Sequence, residues 1–365
     1  MAWYTPRRGL YTACDDTAGN IKLLRALQRP EGMRLGFAHV GDWPAPGERT
    51  LEYSVLLGSF SGDWYDAADL YRAWTLQQSW AVPLTRRDDI PSWLLESPPH
   101  VTIRLQGYVD AGRAPLIEPF LPYEKCVPLL QRVADGVRSP LVAVLMSWER
   151  GGPWVYPDCF PPVGGDASLT EFCRLARARG WHVGSFCNGT RWVMKHLFND
   201  YDGLQYFRDH GGEQGLCRQP DGGWWHENWD QSWRPSVITC MAQAQTRRIA
   251  RDFVRRLIGW GMESIQFFDQ NCNASTFPCF AAGHGHPPGP GKWMARAMAD
   301  IMADFRSAAV EAGEDEVIHS TEWPTNEFCL PLFQQSDVRV SVPSSGDAAF
   351  VPVYHYLFHE CTLMH

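Results

Sequence analysis

The sequence predicts an α/β chain: a TIM-like (β/α) barrel, incomplete at its C-terminus, preceded by a partial antiparallel β-sandwich. Three observations predict it. From Pro91 onward, short apolar runs alternate with stretches of helical period, which signals a parallel sheet. Residues 1–60 read instead as β-rich runs broken by turn clusters. Third, helix, glycine, buried strand and terminal acid follow one another in 246–269, the grammar of one (β/α) unit.

Within 1–60, Gly9 to Ala13, 35–40 and 51–57 read as strands, and Asp15-Asp16-Thr17-Ala18-Gly19 as the turn that breaks the first. These are too few for a closed sandwich. Residues 61–92 form a linking helix and linker, with Asp63 as cap and Ala67, Leu70, Tyr71 and Trp74 as the apolar face. Residues 93–365 hold the barrel. Strands are expected at 100–106, 140–147, 181–187, 264–269, 315–321 and 337–342, with a seventh at 351–357. Helices are expected near 122–135, 168–179, 244–260 and 291–312. Ser168-Leu169-Thr170-Glu171 reads as a capping box opening the second helix, and Gly180 as its stop. Ile249, Phe253 and Leu257 form the stripe of the third, closed by Gly261; Trp293, Ala297, Ile301 and Phe305 that of the fourth, closed by Gly313. The stretch 188–243 is too long for an ordinary βα loop and carries Trp192, Trp224, Trp225, Trp229 and Trp233. It reads as an insertion over the mouth of the barrel.

Composition narrows the function. The 365 residues are 45% hydrophobic and carry a formal net charge of −8. The dispersed Lys and Arg form no basic patch, so nucleic acid is not an expected partner. No apolar run reaches the ~18 residues of a membrane helix, so no membrane partner is expected. The opening Met-Ala-Trp-Tyr-Thr-Pro-Arg-Arg lacks an apolar signal segment. The expected location is the cytoplasm for a complete chain and outside the cell for a fragment. Eleven scattered Cys with no C-x-x-C read as reduced thiols. Seventeen Trp, many in polar, Gly-rich stretches, suggest a carbohydrate platform as well as core.

The strand ends carry the chemistry. Five end in polar residues: Ser147-Trp148-Glu149, Asn188-Gly189, Asp269-Gln270, Ser320-Thr321-Glu322-Trp323 and Pro343-Ser344-Ser345. A strand buried on both faces should be apolar, so polar residues gathered at one end need a shared pocket. Asp269 and Glu322 end adjacent strands, and two carboxyl groups across a sugar ring are what glycoside hydrolysis requires. Asp269 is the expected nucleophile and Glu322 the expected acid/base, with Glu149 the competing carboxyl. Expected substrate contacts are Trp148, Glu149, Asn188, Trp192, Gln270, His284, His286 and Trp323, from aromatic faces and hydroxyl partners. No cofactor is expected and no metal ligand set is assigned. Two alternatives stay open: a non-catalytic carbohydrate-binding barrel, and a metal-dependent hydrolase using the loop of Cys272, Cys279, His284 and His286, whose spacing is not a standard zinc spacing.

Gly62-Asp63-Trp64-Tyr65-Asp66-Ala67-Ala68 with Tyr71-Arg72-x-Trp74, then Phe267-Phe268-Asp269-Gln270, His284-Gly285-His286-Pro287-Pro288-Gly289 and Tyr354-His355-Tyr356-x-x-His359-Glu360 resemble a bacterial family of glycosidase-like proteins. That family is distantly similar to the endo-α-N-acetylgalactosaminidases and the α-galactosidase-type retaining glycoside hydrolases. The resemblance runs from about residue 9 to the end. It implies a β-sandwich, a linking helix, a TIM-like catalytic barrel and usually a C-terminal β domain. It also implies a retaining enzyme acting on an α-linked carbohydrate, with an Asp nucleophile ending the fourth strand, which matches Asp269. The acid/base lies on a later strand, which matches Glu322 less closely. The chain departs from the pattern in lacking the front of the sandwich, the last barrel strand and the C-terminal domain.

Overall fold

The computed structural model describes residues 1–41, 46–226, 230–269, 276–338 and 349–364. Its centre is one parallel sheet of seven strands in chain order: β1 (His100–Arg104), β2 (Val142–Met146), β3 (His182–Phe186), β4 (Ser264–Phe268), β5 (Ile318–Glu322), β6 (Gln335–Asp337) and β7 (Leu363–Met364). Every strand pairs in parallel with the next. The sheet curls into a half-barrel. In a flat sheet β1 and β6 would stand about 24 Å apart, five spacings of ~4.8 Å. Here the side chains of His100 on β1 and Gln335 on β6 meet at 3.1 Å. The curl encloses a cavity of about 220 Å³ lined by Thr102, Ser185, Gln266, Ser320 and Asp337, among others.

Helices Cys126–Val137, Asp166–Arg177, Ala244–Gly259 and Trp293–Ala312 cover the outer face. Their apolar stripes behave as the 3.6-residue spacing requires: Phe253, Leu257, Ile301 and Phe305 are buried with Phe267 and Phe268 of β4 in one core. Helix Asp166–Arg177 starts earlier than its expected capping box. Ser168 is not the cap, because its hydroxyl donates to the Glu124 carboxylate at 2.6 Å and accepts the Tyr123 N–H at 2.9 Å. Gly165 precedes the helix instead.

The seventh strand is a second correction. Residues 351–357 do not form it; Val353–Phe358 is a helix, and β7 lies beyond, at Leu363–Met364. The β-branched and aromatic content resembles a strand, but Tyr354, Leu357 and Phe358 are spaced i, i+3, i+4 and pack together against Trp80 and Leu330. The sixth strand begins at Gln335, and residues 339–342 of the expected strand, with Pro343-Ser344-Ser345, lie outside the described residues.

Ahead of the sheet, Ala2–Thr5, Arg8–Cys14 and Val55–Phe60 make a three-stranded antiparallel sheet, and Ile21–Arg29 with Gly32–Val40 a separate hairpin. The last strand of the expected set starts at Val55, not at residue 51. The turn cluster is held by Asp16, whose carboxylate accepts the backbone N–H groups of Ala18 and Asn20 and pairs with Lys22. Asp63 caps helix Trp64–Thr75 reciprocally with Asp66. Ala67 and Ala68 are buried, whereas Leu70, expected inside, is 47% exposed.

Candidate active site

The C-terminal end of β4 contains a bulge that decides where its acid points. Gln266 pairs with Ser320, but the next pair is Phe268 with Thr321, so Phe267 is an extra residue. Phe267 and Phe268 consequently both face the outer helices, each within ring contact of Phe305. The alternation therefore slips by one. Gln266 and Ser320 line the inner cavity, and Glu322, two residues beyond Ser320, shares that face. Asp269 comes one step past the Phe268–Thr321 pair, level with Glu322 and on the same face. Without the bulge, Asp269 would follow the outward phase. Glu322 pairs in turn with Asp337 on β6, so three carboxyl groups stand side by side on three adjacent strands.

Asp269 and Glu322 are both buried, at 5% and 3% exposure. Asp269 has a cation beside it: the guanidinium of Arg191 lies 3.7 Å from Oδ2. Arg191 lies 3.8 Å from Asp230, which is bound by Arg234 at 2.9 Å; none of these three side chains reaches solvent. Burial pulls the Arg234 guanidinium below its ordinary value, opposed chiefly by the charge of Asp230. The insertion thus delivers charge to the strand ends.

Glu149, beyond β2, is 1% exposed. Burial pushes its carboxyl up to about 8, against the backbone hydrogen bonds of its own residue and of Trp154. Its Oε2 has no hydrogen-bond partner among the described residues. Gln106 fixes the turn by donating to the carbonyls of Ser147 and Glu149 at 2.9 and 2.7 Å. Trp154 couples β2 to β3, because its carbonyl accepts the Asn188 side-chain N–H at 3.2 Å. The turns here are strained. Ser147 (φ 55°), Trp154 (66°), Thr190 (66°) and Trp323 (71°) all hold left-handed backbone without being glycine. Each such residue costs on the order of 1 kcal/mol, and such strain concentrates where side chains must be aimed.

The expected substrate contacts separate. Asn188 and Glu149 stand together through Trp154, and Trp323 is half-buried directly after Glu322. Trp148 does not face a pocket. Its ring is fully buried against Phe160, Phe253 and Trp260, and its indole N–H donates to Ser185 at 3.0 Å. Trp192 is likewise core, edge-on to Phe207 and 2% exposed. Both were expected in loops; in the fold each fills a core that the turn beside it creates. His284 and His286 lie in the loop after β4 beside cysteines. Gln270 and Cys272 lie outside the described residues. Sequence reasoning missed Arg191, Asp230, Arg234, Gln106 and Asp337. The only advance signal was the i, i+4 spacing of Asp230 and Arg234 inside a stretch otherwise read for its tryptophans.

With this geometry in place, comparison is informative. A family described as a domain of unknown function, DUF6259, matches residues 49–365. The chain belongs to the DUF6259 family. A curated relative of this DUF6259 chain, from Bacteroides thetaiotaomicron and named "Putative glycoside hydrolase", is 20% identical over 360 residues, 96% of this chain and 48% of the relative. The DUF6259 chain therefore spans about half the length of that relative. Among solved structures, the ligand-free α-N-acetylgalactosaminidase NagBb of Bifidobacterium bifidum superposes with a TM-score of 0.68 at 14% identity, covering 98% of this chain and 58% of that one. The α-galactosidase TtGalA of Thermus thermophilus, in complex with stachyose, superposes with a TM-score of 0.50 at 19% identity, covering 92% and 57%. These likenesses establish the shared fold, an α/β architecture with a curled parallel sheet.

Proposed function

We propose that this chain is the catalytic part of a glycoside hydrolase that cleaves an α-linked carbohydrate with retention, using Asp269 as nucleophile and Glu322 as acid/base. One observation carries the reading: the single-residue bulge in β4 turns Asp269 to the interior face, level with Glu322 on the neighbouring strand. Adjacent strands lie ~4.8 Å apart. Retaining enzymes hold their two carboxyl groups roughly 5–5.5 Å apart and inverting ones roughly 6.5–9.5 Å, so the register favours retention. The relative named as a glycoside hydrolase and the two α-glycosidase folds support the same substrate class.

In this mechanism Asp269 attacks the anomeric carbon while Glu322 gives a proton to the departing oxygen. Glu322 then takes a proton from the water that breaks the glycosyl-Asp269 ester. Arg191 holds Asp269 in place and balances its charge. Asn188 and Trp323 supply a hydroxyl partner and an apolar face. A neutral Glu149 can donate one hydrogen bond. The unit is residues 93–365, a TIM-like barrel, with 188–243 as the insertion over its mouth and 1–60 as the sandwich portion. The test is a panel of aryl α-glycosides with product anomers followed by NMR. Turnover with a retained α-anomer is expected, and Asp269→Asn should abolish it. An unchanged rate in that variant ends the reading. Sugar-induced tryptophan fluorescence without turnover would replace it with a binding barrel.

A further inference from the structure

The fold assembles a cluster of metal-ligating side chains that the sequence divides between two segments. Cys240 lies two residues past the insertion strand Ser236–Ile238. Cys279, His284 and His286 lie in the loop between β4 and helix Trp293–Ala312. One donor atom from each of the four falls within 4.8 Å of all the others. We propose that Cys240, Cys279, His284 and His286 bind one structural zinc ion, which ties the loop leaving Asp269 to the insertion. The sequence pointed to Cys272 as the second thiol and assigned no metal set; Cys240, remote in sequence, takes that place in the fold.

The details match zinc chemistry. Two ligands on a tetrahedral zinc, a sulfur at ~2.3 Å and a nitrogen at ~2.05 Å, stand about 3.6 Å apart. Cys279 Sγ to His284 Nδ1 and Cys240 Sγ to His286 Nε2 are both 3.4 Å. The imidazole of His286 is already oriented. Its Nδ1–H donates to the Pro287 carbonyl at 2.8 Å, which leaves Nε2 with its lone pair toward Cys240. Its ring lies flat on Trp293, 3.7 Å between centroids and 9° between planes. Cys279 Sγ accepts the backbone N–H of Arg218 at 3.4 Å, the kind of bond that steadies a metal thiolate. Cys240 and Cys279 are fully buried, and the pocket is walled by Ile238 and Cys217. Four protein donors fill a tetrahedral shell and leave no position for a reactive water. This makes the ion a clamp and not a Lewis acid for hydrolysis.

The position gives the clamp a function. The loop is also tied to the insertion by Phe280 N–H to Arg218 carbonyl at 2.9 Å, and closed on itself by Gly289 N–H to Cys279 carbonyl at 2.8 Å. An ion joining Cys240 to this loop would fix the chain that departs from the catalytic strand against the insertion that supplies Arg191.

The test reads metal, not hydrolysis, so its failure and that of the glycosidase reading are separable. Protein purified under reducing conditions and loaded with zinc is dialysed and assayed by plasma mass spectrometry. About one zinc per chain is expected, and content should fall at least about tenfold in the double variant Cys240→Ser, Cys279→Ser. As a second measurement, independent of how that variant folds, cobalt(II) is exchanged into the unaltered chain. Thiolate-to-cobalt charge transfer with intense tetrahedral ligand-field bands is expected. Unaltered protein that retains no stoichiometric zinc, a double variant with unchanged content, or cobalt without thiolate bands would each overturn the proposal.

Discussion

The ends of β2 and β4 each carry a buried carboxyl group, and their surroundings differ in one respect. Asp269 has the Arg191 guanidinium 3.7 Å away, itself part of a buried set with Asp230 and Arg234. Glu149 forms no ion pair among the described residues; burial raises it to about 8 against the N–H dipoles of the turn and the charges of Arg234 and Arg104. A negative charge at the end of β4 has a guanidinium within ion-pair range, whereas at the end of β2 the charges of Arg234 and Arg104 do not offset burial, so Glu149 is mostly neutral at pH 7. Two acids of the same chemistry are thereby suited to different work, the first to nucleophilic attack and the second to donating a hydrogen bond. Burial alone does not set the role; how close a cation stands does.

The comparison breaks most sharply at β4. Asp269→Asn should lower kcat by about 10⁴-fold or more on aryl α-glycosides, while the circular dichroism spectrum and Tm stay close to those of the unaltered protein. The same substitution's effect on the rate would have to be trivial for Glu149 to be the true nucleophile. Next in size, Glu322→Gln should lose about 10²–10⁴-fold on substrates with poor leaving groups, and much less on nitrophenyl glycosides that need no proton. An equal loss on both would remove Glu322 from the acid role. Arg191→Met should cost about 10²-fold in kcat by releasing Asp269 from its position. The loss should fall on kcat with KM little changed, which a purely structural role for Arg191 would not produce.

Much of this was legible in the residues. The helix stripe ending at Gly261, the apolar run of β4 and its terminal Asp269 followed from period and punctuation alone. The first five strands of the sheet lie where the alternation indicated. What stayed hidden depends on contacts between distant segments. The bulge at Phe267 cannot be read from one strand, because it exists only as a slip against β5. Trp148 and Trp192 looked like platforms since each follows or sits among polar residues, yet the ring of Trp148 turns into a core made by a helix far along the chain and that of Trp192 into a small core within the insertion itself. Arg191 and Cys240 were silent for the same reason: their partners, Asp269 and Cys279, are 78 and 39 residues away (269 − 191 and 279 − 240). The helix Val353–Phe358 was mistaken for a strand because four β-formers, Val353, Tyr354, Tyr356 and Phe358, outweighed a short 3.6-residue spacing.

The gentlest of the tests for turnover is also the one that sharpens the comparison from the side of β2. A carboxyl whose folded value is about 8, against an ordinary 4.5, binds a proton in the folded chain that the unfolded chain releases between those pH values. Its contribution is therefore most favourable below pH 4.5 and is lost as pH rises through 8. Buried His196 and His319 act on the other flank. Burial lowers them to about 4 and about 3, so the unfolded chain takes up protons first as pH falls below 6.5, and stability falls with it. Replacing Glu149 by Gln keeps the shape and removes only the first of these slopes. Denaturant titrations from pH 5 to 8.5 should show the unaltered protein losing on the order of a few kcal/mol that Glu149→Gln retains, while the decline toward pH 5 stays common to both. Hydrolysis by the variant should fall by about tenfold or less, the loss of one hydrogen bond to a sugar hydroxyl. Parallel stability curves would mean that Glu149 is ionised in the folded chain, and the distinction between the two strand ends would collapse.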